Sequence, residues 1–91
     1  YPVVFDATHS VKISGVAAYQ KKRGKREYVP YLARAAMATG AADGIFMEVH
    51  DDPDRAKCDG SCMLHLNMLE GMLKQLIDLR EIQNKYGYGV R

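Results

Sequence analysis

His9, Glu48 and Asp59 are the residues whose types suit shared chemistry in this chain: one imidazole and two carboxylates. Such a set can bind a divalent cation such as Mn, Fe or Zn, or hold water and a carbonyl in place while a proton moves. Their settings are alike. His9 closes the apolar run Val3-Val4-Phe5-Asp6-Ala7-Thr8, and Glu48 follows Gly44-Ile45-Phe46-Met47, with His50-Asp51-Asp52-Pro53 just beyond. Asp59 stands in the next loop, within Cys58-Asp59-Gly60. The carboxyl ends of strands, and the loops after them, are where parallel α/β enzymes keep their reacting groups. Spacing alone leaves a plainer alternative open, in which His9 caps a strand and the acids face water.

Both runs need strands to carry them. Residues 3–9 predict a short strand buried on both faces, and residues 44–49 repeat the design. Residues 11–26, with Gly15, Gly24 and no sustained period, read as a loop. Residues 27–39 predict a helix, with Pro30 in its first turn, an apolar side of Leu32, Ala35, Ala36 and Met37, and Gly40 as its stop. Residues 51–61 are a loop rich in Asp, Pro and Gly. A second helix follows, opened by a variant capping box of Asn67 and Glu70, with Leu69, Met72, Leu73, Leu76, Leu79 (or Ile77) and Ile82 near the helical period. Residues 86–91 should fray.

The order is β, α, β, α. Crossovers between such strands are right-handed and consecutive strands commonly pair, so the two should lie parallel, about 4.8 Å apart, with His9 and Glu48 at neighbouring ends. A parallel sheet covered on both faces needs more strands, which points to part of a doubly wound sheet or of a (β/α)8 barrel. The chain has 91 residues, lacks an initiator Met and opens directly on a strand, so it is expected to be the tail of something longer.

Composition is that of a globular chain, 47% hydrophobic and 26% charged, with no apolar run near the roughly 18 residues of a membrane helix. A net charge of +2 is too small to indicate nucleic acid. Charge is unevenly placed, however. Lys12, Lys21, Lys22, Arg23, Lys25 and Arg26 precede the first helix, whereas Glu48, Asp51, Asp52, Asp54 and Asp59 crowd the second strand end. Lys25 or Arg26 could meet a substrate phosphate, although a solvated loop is the common case for such a cluster. Cys58 and Cys62 do not form a disulfide framework, and with His50 and His65 they make only a weak zinc pattern. Met47, Met63, Met68 and Met72 are most simply core.

Phe5-Asp6-Ala7-Thr8-His9-Ser10, Gly24-Lys25-Arg26-Glu27-Tyr28-Val29-Pro30, Leu32-Ala33-Arg34-Ala35-Ala36, Gly44 through Pro53 and Cys58-Asp59-Gly60 resemble, in order, the C-terminal part of the 3-deoxy-D-manno-octulosonate 8-phosphate synthase family. The resemblance implies that residues 1–91 form the C-terminal β-α-β-α portion of one (β/α)8 barrel domain. It implies condensation of phosphoenolpyruvate with D-arabinose 5-phosphate for lipopolysaccharide synthesis, in a cytoplasmic homotetramer without membrane or nucleic-acid partners, the segment alone being inactive. By the same resemblance His9, Glu48 and Asp59 are catalytic, and would be metal ligands in the metal-dependent branch, whose deciding residue lies on the first strand of the barrel. Cys58-Asp59-Gly60 is more similar to the branch that works without a metal. The chain departs from the family at Lys22-Arg23, Ser61 and Leu64-His65-Leu66, which bears on loop geometry more than on fold. Two rivals stand beside this reading: a related sugar acid synthase that condenses phosphoenolpyruvate, and a non-catalytic basic module that binds anions.

Overall fold

A computed structural model describes residues 1–12, 25–58 and 60–87. The first strand, β1 (Val4–Asp6), pairs in parallel with β2 (Gly44–Phe46), in the register Val4 to Gly44, Phe5 to Ile45 and Asp6 to Phe46. The crossover between them carries helix α1 (Val29–Ala38). A second parallel pair joins β3 (Val49–His50) to β4 (Leu64–His65), and helix α2 (Leu69–Tyr86) ends the described chain. The fold is therefore mixed α/β, with parallel pairing at every strand contact described.

The strands are shorter than their apolar runs. The Asp6 carboxylate captures the main-chain N–H of His9 at 2.9 Å, which turns the chain into a 3-10 segment at His9–Val11 instead of letting the strand continue. Residues 44–49 likewise split after Phe46. Val49 and His50 turn to a new partner, and Leu64 N–H donates to the Glu48 carbonyl at 3.0 Å. Burial of the strands on both faces is not found: Val4 is 62% and Phe46 46% exposed. Among the described residues only one layer of helix covers the pair.

Helix α1 begins with Pro30 in its first turn and stops at Gly40, whose φ of 76° is a left-handed conformation that glycine adopts without the Cβ penalty. Its buried stripe is Val29, Ala33 and Met37, spaced by four. Leu32 and Ala35, expected on that stripe, lie on a neighbouring face instead, along an open apolar groove with Val3, Val4 and Phe5. The core thus forms where α1, α2 and the inner ends of the strands meet, around Val29, Ala33, Cys62, Leu64, Met72 and Leu76.

Helix α2 packs on α1 through Met72 and Leu76. Three polar ties fix its pose: Arg34 to Gln75 at 2.9 Å, Arg80 to the Asp43 carbonyl at 2.7 Å, and Gln83 to the Ala38 carbonyl at 2.5 Å. The capping box expected from Asn67 and Glu70 does not form. Glu70 pairs with Lys74 one turn on, and the Asn67 N–H is met by Nδ1 of His65 at 3.3 Å. A 3-10 turn at Leu66–Met68 precedes the helix, so the orphan donors lie a step earlier than Asn67 can serve.

Candidate active site

The parallel register sets the ends of β1 and β2 beside each other, and the turn after β1 sends His9 back over β2. Its ring stacks on Phe46, with centroids 6.4 Å apart and planes at 23°. Nε2 of His9 then stands 3.6 Å from Oε1 of Glu48, while Nδ1 lies 2.7 Å from Oδ2 of Asp6. The imidazole is held between two carboxylates.

Asp6 does two things at once. One oxygen accepts the His9 main-chain N–H and the other meets the ring, so both the backbone turn and the ring orientation depend on a single side chain. Partial desolvation opposes ionisation of Asp6. The His9 main-chain and ring hydrogen bonds, the charge on the imidazole and the Thr8 N–H together outweigh it and hold the carboxyl below its ordinary value. An ionised Asp6 accepting from Nδ1 assigns the ring proton to that nitrogen and leaves Nε2 directed at Glu48.

Glu48 is placed by its backbone. The Thr8 side chain is fully buried, and its hydroxyl accepts the Glu48 N–H at 2.7 Å. Leu64 N–H grips the Glu48 carbonyl from the other side. Replacing Thr8 by Val should leave the partly buried Glu48 N–H without this acceptor, at a cost of about 1 kcal/mol. This would be read as a lower urea midpoint, with Thr8→Ser restoring most of it.

The structure thus brings His9 and Glu48 together, as their positions at strand ends suggest. Asp59 lies outside the described residues, as do Lys21, Lys22 and Arg23. Lys25 is exposed, and its main-chain N–H donates to the Val11 carbonyl at 3.1 Å. Arg26 turns toward the loop after β3, where it meets Asp54 and the Gly60 carbonyl. His50 and His65 face each other across the β3–β4 pair, each with Nδ1 accepting the N–H two residues on. Cys62 is buried in the core and Cys58 exposed, without a disulfide between them. Among the described residues no three metal-type side chains converge.

Asp6 and Thr8 are the site residues that reading for reacting groups passes over. The signal for Asp6 was present: an Asp three residues before the turn's His is a pattern for side chain to backbone capture. Thr8 gives none, because its role depends on the backbone of Glu48, 40 residues away.

Two donors 3.6 Å apart, an imidazole nitrogen and a carboxylate oxygen, could both reach one cation at about 2.0–2.2 Å, so their chemistry suits a divalent metal as well as a water or carbonyl oxygen. Adjacent parallel strands with an imidazole and a carboxylate at their carboxyl ends are the arrangement in which parallel α/β enzymes keep their reacting groups.

Comparison with known proteins gives the family. A model described as the DAHP synthetase I family matches residues 1–85, and the chain belongs to that family. Among curated relatives, the chain is 58% identical over 76 residues to a 2-dehydro-3-deoxyphosphooctonate aldolase of Geotalea uraniireducens, covering 84% of the chain and 27% of the relative. It is 54% identical over 81 residues to one of Desulfatibacillum aliphaticivorans, with 89% and 29% covered. With one of Cyanothece sp. it shares 52% over 80 residues, with 88% and 29% covered. The chain therefore spans just under a third of the length of the curated relatives it matches.

Proposed function

We propose that residues 1–91 are the C-terminal β-α-β-α part of a single (β/α)8 barrel domain whose whole condenses phosphoenolpyruvate with D-arabinose 5-phosphate. The products are 3-deoxy-D-manno-octulosonate 8-phosphate and inorganic phosphate, a step toward lipopolysaccharide. The observation that carries this reading is His9 set against Glu48 at neighbouring parallel strand ends, in a chain more than half identical to relatives bearing that enzyme's name. The segment alone lacks the other strands a barrel needs and is inactive. In the whole protein we place the work in the cytoplasm, in a homotetramer with no membrane or nucleic-acid partner. Among the described residues no helix is long and apolar enough to cross a membrane.

In the reaction a carbon–carbon bond forms between the methylene carbon of phosphoenolpyruvate and the aldehyde carbon. Water adds at the neighbouring carbon, the bond from that carbon to the phosphate oxygen breaks, and the aldehyde oxygen takes a proton. Nε2 of His9 is the group placed to hold the water or exchange its proton, because Asp6 fixes the proton on Nδ1. Glu48 orients the same water and steadies positive charge on the ring, and Asp59 is the third member of the set. Lys25 gives the loop before α1 a positive charge that favours two phosphorylated substrates, while the charge of Arg26 is paired with Asp54. Where a divalent cation is used, His9, Glu48 and Asp59 would hold it, and it would polarise the reacting oxygen. The Cys58-Asp59-Gly60 motif supports a working enzyme without one.

The test replaces the matching segment of the Geotalea uraniireducens relative by residues 1–85. This grafted enzyme should consume phosphoenolpyruvate with D-arabinose 5-phosphate at least about tenfold faster, in kcat/KM, than with a shorter phosphorylated aldose, a discrimination that acceptor contacts readily supply. Exhaustive chelation of the full-length protein that bears this chain, with its own first strand in place, should leave the rate within about twofold. Preference for the shorter sugar would favour the related-synthase reading. Loss of activity on chelation, with recovery on adding Mn, would overturn metal independence alone.

A further inference from the structure

Arg26 belongs to the basic cluster, yet its side chain is engaged by protein. Its Nη2 donates to Oδ1 of Asp54 at 2.5 Å and to the carbonyl of Gly60 at 3.2 Å. These acceptors sit on the two limbs of one loop, Asp54 in the 3-10 turn Pro53–Arg55 and Gly60 at the head of the turn Gly60–Cys62. The limbs are closed against each other at that point: a Cβ on Gly60 would lie 2.1 Å from the Pro53 carbonyl oxygen and 3.3 Å from Cβ of Ala56. Pro53 is itself buried beneath the closure.

The closure reaches Glu48 by main-chain bonds. The Gly60 carbonyl also accepts the Met63 N–H at 3.2 Å, and the next residue, Leu64, donates its N–H to the Glu48 carbonyl at 3.0 Å. Leu64 is almost wholly buried, so this limb cannot move without disturbing the core. From Arg26 to Glu48 the path runs through one guanidinium contact, one carbonyl and two short backbone bonds.

We propose that Arg26 is a positioning residue: it clamps both limbs of the loop after β3 and through Gly60 and Leu64 sets the stance of Glu48. A guanidinium suits this task because the two N–H groups of Nη2 point in fixed directions within its plane, one toward the carboxylate and one toward the carbonyl, whereas the three donors of a lysine ammonium rotate on a flexible stem. Only the kinetic readout of this role rests on the proposed function, while the clamp itself is testable without it.

The experiment compares Arg26→Ala, Arg26→Lys, Asp54→Ala and the Arg26→Ala/Asp54→Ala pair in the grafted enzyme, by peptide-level amide hydrogen exchange and steady-state kinetics. Arg26→Ala should speed exchange across residues 54–64 by about threefold to tenfold, as expected when one charge-assisted tie on a partly exposed loop is removed. It should lower kcat while KM for each phosphorylated substrate stays within about twofold. Arg26→Lys should recover less than half of the lost protection, and Asp54→Ala should add little once Arg26 is gone. Unchanged exchange in Arg26→Ala overturns the proposal. So does a rise in KM for a phosphorylated substrate of about tenfold with exchange unchanged, which would make Arg26 a phosphate ligand. An unmodified graft that folds but has no activity would count against the proposed function only, and exchange would still decide the clamp.

Discussion

His9→Ala in the grafted enzyme is expected to lower kcat by about 100-fold to 10,000-fold, the range lost when a positioned acid–base group is removed. The ring lies between the two groups that make it useful, Asp6 on Nδ1 and Glu48 opposite Nε2, and its removal takes away the imidazole nitrogen proposed to exchange the water's proton. Folding should be little affected. The His9 side chain is 40% exposed, so stability should stay within about 1 kcal/mol of the parent. Rates within about threefold of the parent would remove His9 from the chemistry. His9→Gln, which keeps a polar group without the imidazole's proton exchange, should not restore the rate.

Gly60→Ala carries the second large effect. The added methyl would meet the Pro53 carbonyl oxygen at 2.1 Å, and that obstacle is backbone, which cannot swing aside as a side-chain tip can. One limb of the loop must shift, at a cost of about 1–3 kcal/mol or more. Because Leu64 hangs from the same limb and holds the Glu48 carbonyl, activity should fall further than stability alone would account for. The paired control is Gly71→Ala. Gly71 lies within α2 with nothing inside 4 Å of a built Cβ, and alanine there should raise stability by about 0.5–1 kcal/mol through helix propensity. Thermal melts of both variants, with kinetics of the first, check the pair. A Gly60→Ala protein as stable and active as the parent would mean that the loop is not closed in the way described.

What could be read from the residues, and what could not, divides along physical lines. The parallel pairing of the two apolar runs followed from the helix between them, and His9 beside Glu48 followed from that pairing. Gly40 ended α1 as its sequence position suggested. Strand lengths were overread because hydrophobic periodicity does not register a side chain that captures a backbone donor, as Asp6 does at His9. The start of α2 was misplaced for a related reason. His65 outcompetes the Asn67 and Glu70 pair, and histidine is not a residue that capping rules bring forward. On α1, Met37 is buried as its apolar side predicts, but Val29 and Ala33 take the rest of the buried face in place of Leu32, Ala35 and Ala36, which are also apolar. Only the placement of α2 selects between the two stripes.

Electrostatic reading of the loops was coarser still. A basic loop and an acidic loop are legible as opposite charges, and residue type alone offers a substrate phosphate as a partner for Lys25 or Arg26. Its observed partners are a carboxylate and a carbonyl of the acidic loop, so the cluster also serves to join the two loops that flank the strand ends. Thr8 shows the limit of local reading most clearly. Nothing near it in the sequence marks it, yet its buried hydroxyl is the direct link between the turn that bears His9 and the backbone of Glu48.

The most direct measurement is phosphate release from phosphoenolpyruvate in the presence of D-arabinose 5-phosphate, by the grafted enzyme and by the same graft with His9→Ala and Glu48→Gln together. The unmodified graft should turn over within about tenfold of the parent relative, and the double variant should lose at least about 1,000-fold, as befits removal of groups that act as a unit. Equal release by the two proteins would contradict the assignment of the reacting site to the paired strand ends.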